Sequence, residues 1–162
     1  VPSSANGPES LAGKTNYYTY ALKSHTVLQD VTVDAEAELQ FLGGQKIVLV
    51  LTEHTGYGPR TTPMPGKLTP GGQLKLWFPD PLTLALPPGV TSITDLVEWH
   101  TGCEVLGGTF PVWHGSWDGE RLSARATFVT RCDGPGPNND LFPMPQEGIV
   151  DWQWSMDLTV TD

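Results

Sequence analysis

Residues 150–160, "VDWQWSMDLTV", alternate without a break. Val150, Trp152, Trp154, Met156, Leu158 and Val160 are apolar, and every residue between them is polar. Side chains on a β-strand point to opposite faces in turn, so a period of two predicts a strand with one dry face and one wet face. A helix would need apolar spacings of three and four. The same pattern marks residues 31–42, "VTVDAEAELQFL". Val31, Val33, Ala35, Ala37, Leu39 and Phe41 share one side, and Thr32, Asp34, Glu36, Glu38 and Gln40 share the other. "GGQ" at 43–45 predicts a turn and "KIVLVLT" at 46–52 a returning strand, which together make a hairpin. Asp118-Gly119 predicts a second hairpin turn, between strands over 108–117 and 120–131. In the latter, Leu122, Ala124, Ala126 and Phe128 oppose Arg121, Ser123, Arg125, Thr127 and Val129.

Shorter strands are expected at 16–24, 73–78, 82–86 and 93–100. No segment carries a sustained helical stripe, and the β-branched content near 90–100 favours a strand there. Two Pro- and Gly-rich stretches, 54–72 and 132–148, read as long loops, a length often given to lids and binding loops. Roughly eight strands joined mainly by hairpins must cover their dry faces. A single up-and-down antiparallel barrel does so by closing the last strand on the first, which removes both edges. A two-layer β-sandwich is the competing arrangement. At 162 residues the chain is long enough for one domain with a real core. The turn-rich opening "VPSSANGPES" reads as a flexible tail over 1–10, leaving a single β domain over 11–162.

In architecture such a chain resembles the lipocalin-like barrels. Those proteins commonly carry Gly-x-Trp near the first strand. Gly13-Lys14-Thr15 stands at that place here, without the Trp. The resemblance is one of fold, and what it implies by analogy is a small molecule held inside the barrel.

Composition and charge narrow the partners. The net charge of −9 argues against nucleic acid, which needs clustered Lys and Arg, and against an anionic membrane surface. No run of 18 apolar residues predicts a transmembrane segment. Cys103 and Cys132 are the only cysteines and stand outside any metal-ligand pattern, so a disulfide between them is expected. A disulfide would place the protein in a secreted or periplasmic setting, with the N-terminal tail as a possible tether.

Six tryptophans are many for this length: Trp77, Trp99, Trp113, Trp117, Trp152 and Trp154. Inside a barrel, large rings either fill the core or wall a pocket. Trp99, Trp113, Phe128, Trp152, Trp154 and Met156 are the expected pocket residues for a small, largely apolar ligand. Trp113 and Trp117, which flank Gly115, are the candidates for an exposed platform that stacks on sugar rings. Glu98, His100 and His114 are the candidates for a two-His-one-carboxylate metal site, conditional on strand pairing. Asp34, Glu36 and Glu38 lie in a line on one strand face, which suits a solvated wall better than a calcium cage. His25 and His54 have no evident partner. No Gly-x-Ser-x-Gly elbow and no phosphate loop occur, and no cofactor is implied. The function expected from the sequence is an exported barrel that binds a small apolar molecule. A module that binds carbohydrate or protein, and a metal-assisted hydrolase or cyclase, are the alternatives.

Overall fold

The computed structural model describes residues 8–77, 95, 98, 101–108, 112–134 and 147–161. Nine strands run through them: β1 (Glu9–Ala21), β2 (Thr26–Phe41), β3 (Lys46–Thr55), β4 (Gly58–Leu68), β5 (Gln73–Trp77), β6 (Cys103–Gly108), β7 (Val112–Trp117), β8 (Arg121–Cys132) and β9 (Gly148–Val160). Every pairing is antiparallel. Neighbours follow the order β7-β5-β4-β3-β2-β1-β9, and β8 joins β7 to β9, so eight strands close into an up-and-down barrel. The ninth, β6, lies on the same edge of β8 as β7. Cys103–Gly108 pair with Cys132–Phe128, and His114–Trp117 pair with Arg125–Leu122. From Gly108 to His114 the chain takes six steps while β8 takes three, so β6 and β7 form one interrupted stave.

Closure follows from the alternation. β9 buries Val150, Trp152, Trp154, Met156 and Leu158, and β8 buries Leu122, Ala124, Ala126 and Phe128, as their period of two requires. β9 pairs with β1 along Val150–Val160 and with β8 along Gly148–Thr159, which leaves it no free edge. Two glycines at inward positions let backbones approach: a Cβ on Gly13 would lie 2.0 Å from the Asp157 carbonyl oxygen, and one on Gly115 1.8 Å from that of Ser123.

Three expectations change. The segment 54–72, expected as a loop, contains strand β4. Its prolines made it look irregular, yet Pro59, Pro63 and Pro65 share one parity. Leu68 N–H donates toward β3 at Gln45 and Thr69 N–H toward β5 at Gln73. Alternation therefore puts the missing N–H of all three prolines on the β5 side. Pairing with β5 reaches only Gly66–Leu68, so no described strand needs those donors. The expected strand at 93–100 is helical where it is described, at Asp95 and Glu98. Thr101 is helical too, and the Gly102 N–H bonds back to the Glu98 carbonyl at 2.8 Å. Gly102, at φ 69°, then ends the turn, as glycine commonly does. Finally, the ordered domain starts earlier than expected, because Glu9 and Ser10 already pair with Leu39 and Glu38 in β2. The expected strand at 82–86 and most of the loop at 132–148 lie outside the described residues.

The disulfide is present. Cys103 and Cys132 are register partners with Cα atoms 4.4 Å apart, the spacing of a non-hydrogen-bonded antiparallel pair. It fastens β6 to β8 at the Cys103 end of the pairing, before the register shifts between Val105 and Gly107. No helix among the described residues is long and apolar enough to cross a membrane.

Candidate functional site

The barrel has two unlike ends. One carries the tight turns 42–45, 69–72 and 118–120. The other carries the turns 22–25 and 56–57 and receives both long connections, from Trp77 to Cys103 and from Cys132 to Gly148. The interior is divided the same way. Toward the tight turns it is mainly aliphatic, with Leu11, Leu39, Leu49, Met64, Leu74, Leu122, Met156 and Leu158 buried, joined by a single buried ring, Trp117, beside the turn 118–120. Toward the long connections the inward positions become rings, small residues and polar groups.

Trp154 is the hub of the ring cluster. Tyr17 and Phe128 meet it edge-on at centroid distances of 5.3 and 5.4 Å, and Trp113 lies tilted at 6.5 Å. Phe128 stacks on Trp152 at 5.2 Å, and the Trp152 indole N–H donates to the Thr130 hydroxyl at 2.8 Å. Such pairs add to area burial and hold each ring in one orientation.

Beside Tyr17 lies a buried charge. In β3 the inward positions run Ile47, Leu49, Leu51 and then Glu53, whose side chain is only 3% exposed. Its register partner in β4 is Arg60, and the guanidinium Nη2 reaches Glu53 Oε1 at 2.5 Å. Glu53 Oε2 accepts the Thr15 hydroxyl at 2.7 Å and also the Tyr17 hydroxyl. Arg60 Nη2 donates to the Tyr17 oxygen at 3.2 Å. A carboxylate so deep needs both counter-charge and donors, and here it has three partners. Burial, and then the adjacent Glu53 charge, hold the Tyr17 phenol far above its ordinary value of 10.0. Arg60 is 34% exposed, so it bridges the buried carboxylate to solvent. Its Nε and Nη1 donors make no bond among the described residues.

Of the expected pocket residues, Trp113, Phe128, Trp152, Trp154 and Met156 all point inward and are buried. Trp99 lies outside the described residues. Trp113 and Trp117, at 2% and 5% exposure, have no free face for a sugar, which removes the platform proposed for them. Trp117 shares parity with Trp113 across Gly115, and both belong to the core side of β7. The metal candidate does not assemble from its described members. Glu98 Oε2 accepts the Val105 N–H at 2.9 Å, while His114 stands on the outer wall, in register with Lys75 and Arg125. His100 lies outside the described residues, and among the described residues no three His, Cys, Asp or Glu side chains gather as a metal site. The acidic row is solvated and partly compensated: Lys14 reaches Asp34 at 2.6 Å and His54 reaches Glu36 at 3.3 Å. His25 contacts the Tyr20 hydroxyl at 3.4 Å.

Glu53, Arg60, Tyr17 and Thr15 were not singled out in the sequence. A signal existed for Glu53, since the parity of Ile47, Leu49 and Leu51 sends it inward. Arg60 was hidden because its segment read as a loop. No family model, no curated protein and no solved structure matches this chain.

Proposed function

We propose that the barrel binds a small, largely apolar molecule in the half of its interior that faces the long connections. The observation that supports this reading is the division of the interior. A barrel built only for stability has no need of a buried Glu53–Arg60 pair, because apolar residues of similar volume serve stability as well or better. Here the pair lies beside a ring cluster and beside the stretch of β4 that has no described β5 partner. Trp113, Trp154, Phe128 and Tyr17 supply contact area, and the open donors of Arg60 supply one polar contact. Glu53 already balances the Arg60 charge, so an uncharged acceptor such as a carbonyl, ether or ester oxygen suits the site better than a second carboxylate. Export remains part of the proposal, supported by the buried disulfide.

Titration with N-phenyl-1-naphthylamine, a neutral apolar fluorophore, tests the reading through energy transfer from tryptophan. Saturable one-to-one uptake is expected, weakened by Trp154→Ala and competed by a long-chain ester better than by the matching acid. A linear, non-saturable signal that Trp154→Ala leaves unchanged would refute it.

A further inference from the structure

The net charge of −9 conceals a segregated surface. The outward residues of β1, β2 and β9 include Asp30, Asp34, Glu36, Glu38, Asp151 and Asp157. The outward residues of β3, β4, β5, β7 and β8 include no carboxylate at all. On that second wall the registers align one basic residue per strand. Lys46 pairs with Lys67, Lys67 with Lys75, Lys75 with His114, and His114 with Arg125.

Five of the nine Lys and Arg residues are in ion pairs: Lys14, Lys23, Arg60, Arg121 and Arg131. The remaining four, Lys46, Lys67, Lys75 and Arg125, are the four in this row, and none has an ion-pair partner among the described residues. All are exposed. Like charges directly opposite across a sheet destabilise it, so the row works against the fold. A stability cost concentrated on one line, and relieved by no ion pair among the described residues, marks a surface that an anion relieves.

The geometry points to a linear acidic polysaccharide, with one carboxylate or sulfate per sugar, lying across the strands on this basic row. The row steps from strand to strand by about 4.8 Å between backbones. It crosses five of the eight staves of the closed barrel, so it curves with the wall and its outward side chains fan apart, and a flexible chain of charged sugars can follow that curve. Two further features suit a sugar rather than another polyanion. Trp77, 37% exposed, stands two positions from Lys75 on the same outward face and offers a ring for stacking. Beyond Arg125 the row continues through Ser155 and Asn16, register partners that border a shallow outer cleft with Gln153 and Tyr18. Hydroxyl and amide groups there match sugar hydroxyls. The line is a single charge wide, which suits a sparsely charged chain. A nucleic acid or an anionic bilayer presents denser charge and meets the repulsion of the acidic wall more strongly. This site is on the barrel exterior and independent of the interior one.

Isothermal titration of the full chain at low salt with polygalacturonate tests the assignment. Dextran, a short DNA duplex and phosphatidylglycerol vesicles are the comparison probes. Binding to polygalacturonate alone is expected, fading as salt screens the charges. The double variant Lys67→Ala/Lys75→Ala should weaken it about tenfold, each exposed contact being worth roughly threefold. Trp77→Ala should weaken it and leave the salt dependence intact. Lys14→Ala/Lys23→Ala changes the net charge equally away from the row, at β1 and the β1–β2 turn, and should leave affinity within about twofold. Melting temperature and circular dichroism confirm that each variant folds. The assignment is overturned by absence of polygalacturonate binding, by tighter binding to DNA or vesicles, or by equal loss in the Lys14/Lys23 variant. It is equally overturned if sedimentation shows the row engaged by a second copy of the chain.

Discussion

Glu53 and Arg60 are not equivalent halves of one ion pair. Glu53 is enclosed, while Arg60 has a route to water. Removing the guanidinium leaves a carboxylate buried with only hydroxyl donors, the costly way to break a buried pair, at about 3–5 kcal/mol. Glu53→Gln keeps an acceptor for Thr15 and Tyr17 and frees Arg60 to turn outward, so its cost is nearer a single charged hydrogen bond, about 1.5–3 kcal/mol. Urea unfolding of the two variants is expected to rank Arg60→Ala as clearly the less stable. Equal losses would mean that the Arg60 guanidinium is not what compensates the buried Glu53 side chain. At this scale the sequence was readable wherever parity was unbroken. Phe128, Trp152, Trp154 and Met156 could be placed inward from alternation alone, whereas Trp113 was expected both in the pocket and on an exposed platform, because Gly115 hides the parity it shares with Trp117. What alternation does not reveal is which inward residues touch across the barrel, and Tyr17, Thr15, Glu53 and Arg60 come from three strands.

The strands differ in what holds them. β9 is paired along both edges, whereas β6 is a six-residue segment with an irregular register, fixed at one end by the disulfide. Replacing both cysteines by alanine should therefore act locally as well as globally. A loop of this size contributes about 3–4 kcal/mol in the chain-entropy model, and a urea titration should show a loss of that order. Hydrogen exchange should rise in Cys103–Gly108 and in the facing amides of Phe128–Cys132, with β1 and β9 still protected in the native state. Uniform loss of protection would contradict a local clasp. The elements also show where sequence reading stops. Prolines normally argue against a strand, and β4 escapes only because its three prolines share a parity and face a side without a described partner. Asp95, Glu98 and Thr101 repeat at three, the helical spacing, with Gly102 as a stop. Surrounding β-branched residues outweighed that signal. The extra strand β6 was not separable from β7, since both follow one edge of β8.

Over the whole molecule, pH acts on the two sides of neutrality through different groups, surface carboxylates on the acid side and the buried Tyr17 on the alkaline side. On the acid side, Asp118 accepts the N–H groups of Glu120 and Arg121 in the β7–β8 turn, and these bonds hold its carboxyl below the ordinary 3.8. The Arg121 guanidinium does the same to Asp157, and the Lys14 and Lys23 ammonium groups to Asp34 and Glu147. A lowered folded value means that the unfolded chain takes up protons first. These contributions are therefore complete above the ordinary carboxylate range and fade as pH falls through the lowered values. On the alkaline side the sign reverses. Tyr17 is held far above 10.0, so above that pH the unfolded chain loses a proton that the barrel retains. Its contribution is whole below pH 10 and declines as pH rises further, with a slope of about 1.4 kcal/mol per pH unit from this one group. Tyr17→Phe removes the titrating group, so its alkaline limb should be shallower by that slope even though the variant starts less stable from the lost hydrogen bond to Glu53. Urea titrations at several pH values above 10 make the comparison. Parallel limbs would show that Tyr17 ionises freely in the folded barrel, and that the polar cluster is open to water rather than enclosed behind the rings.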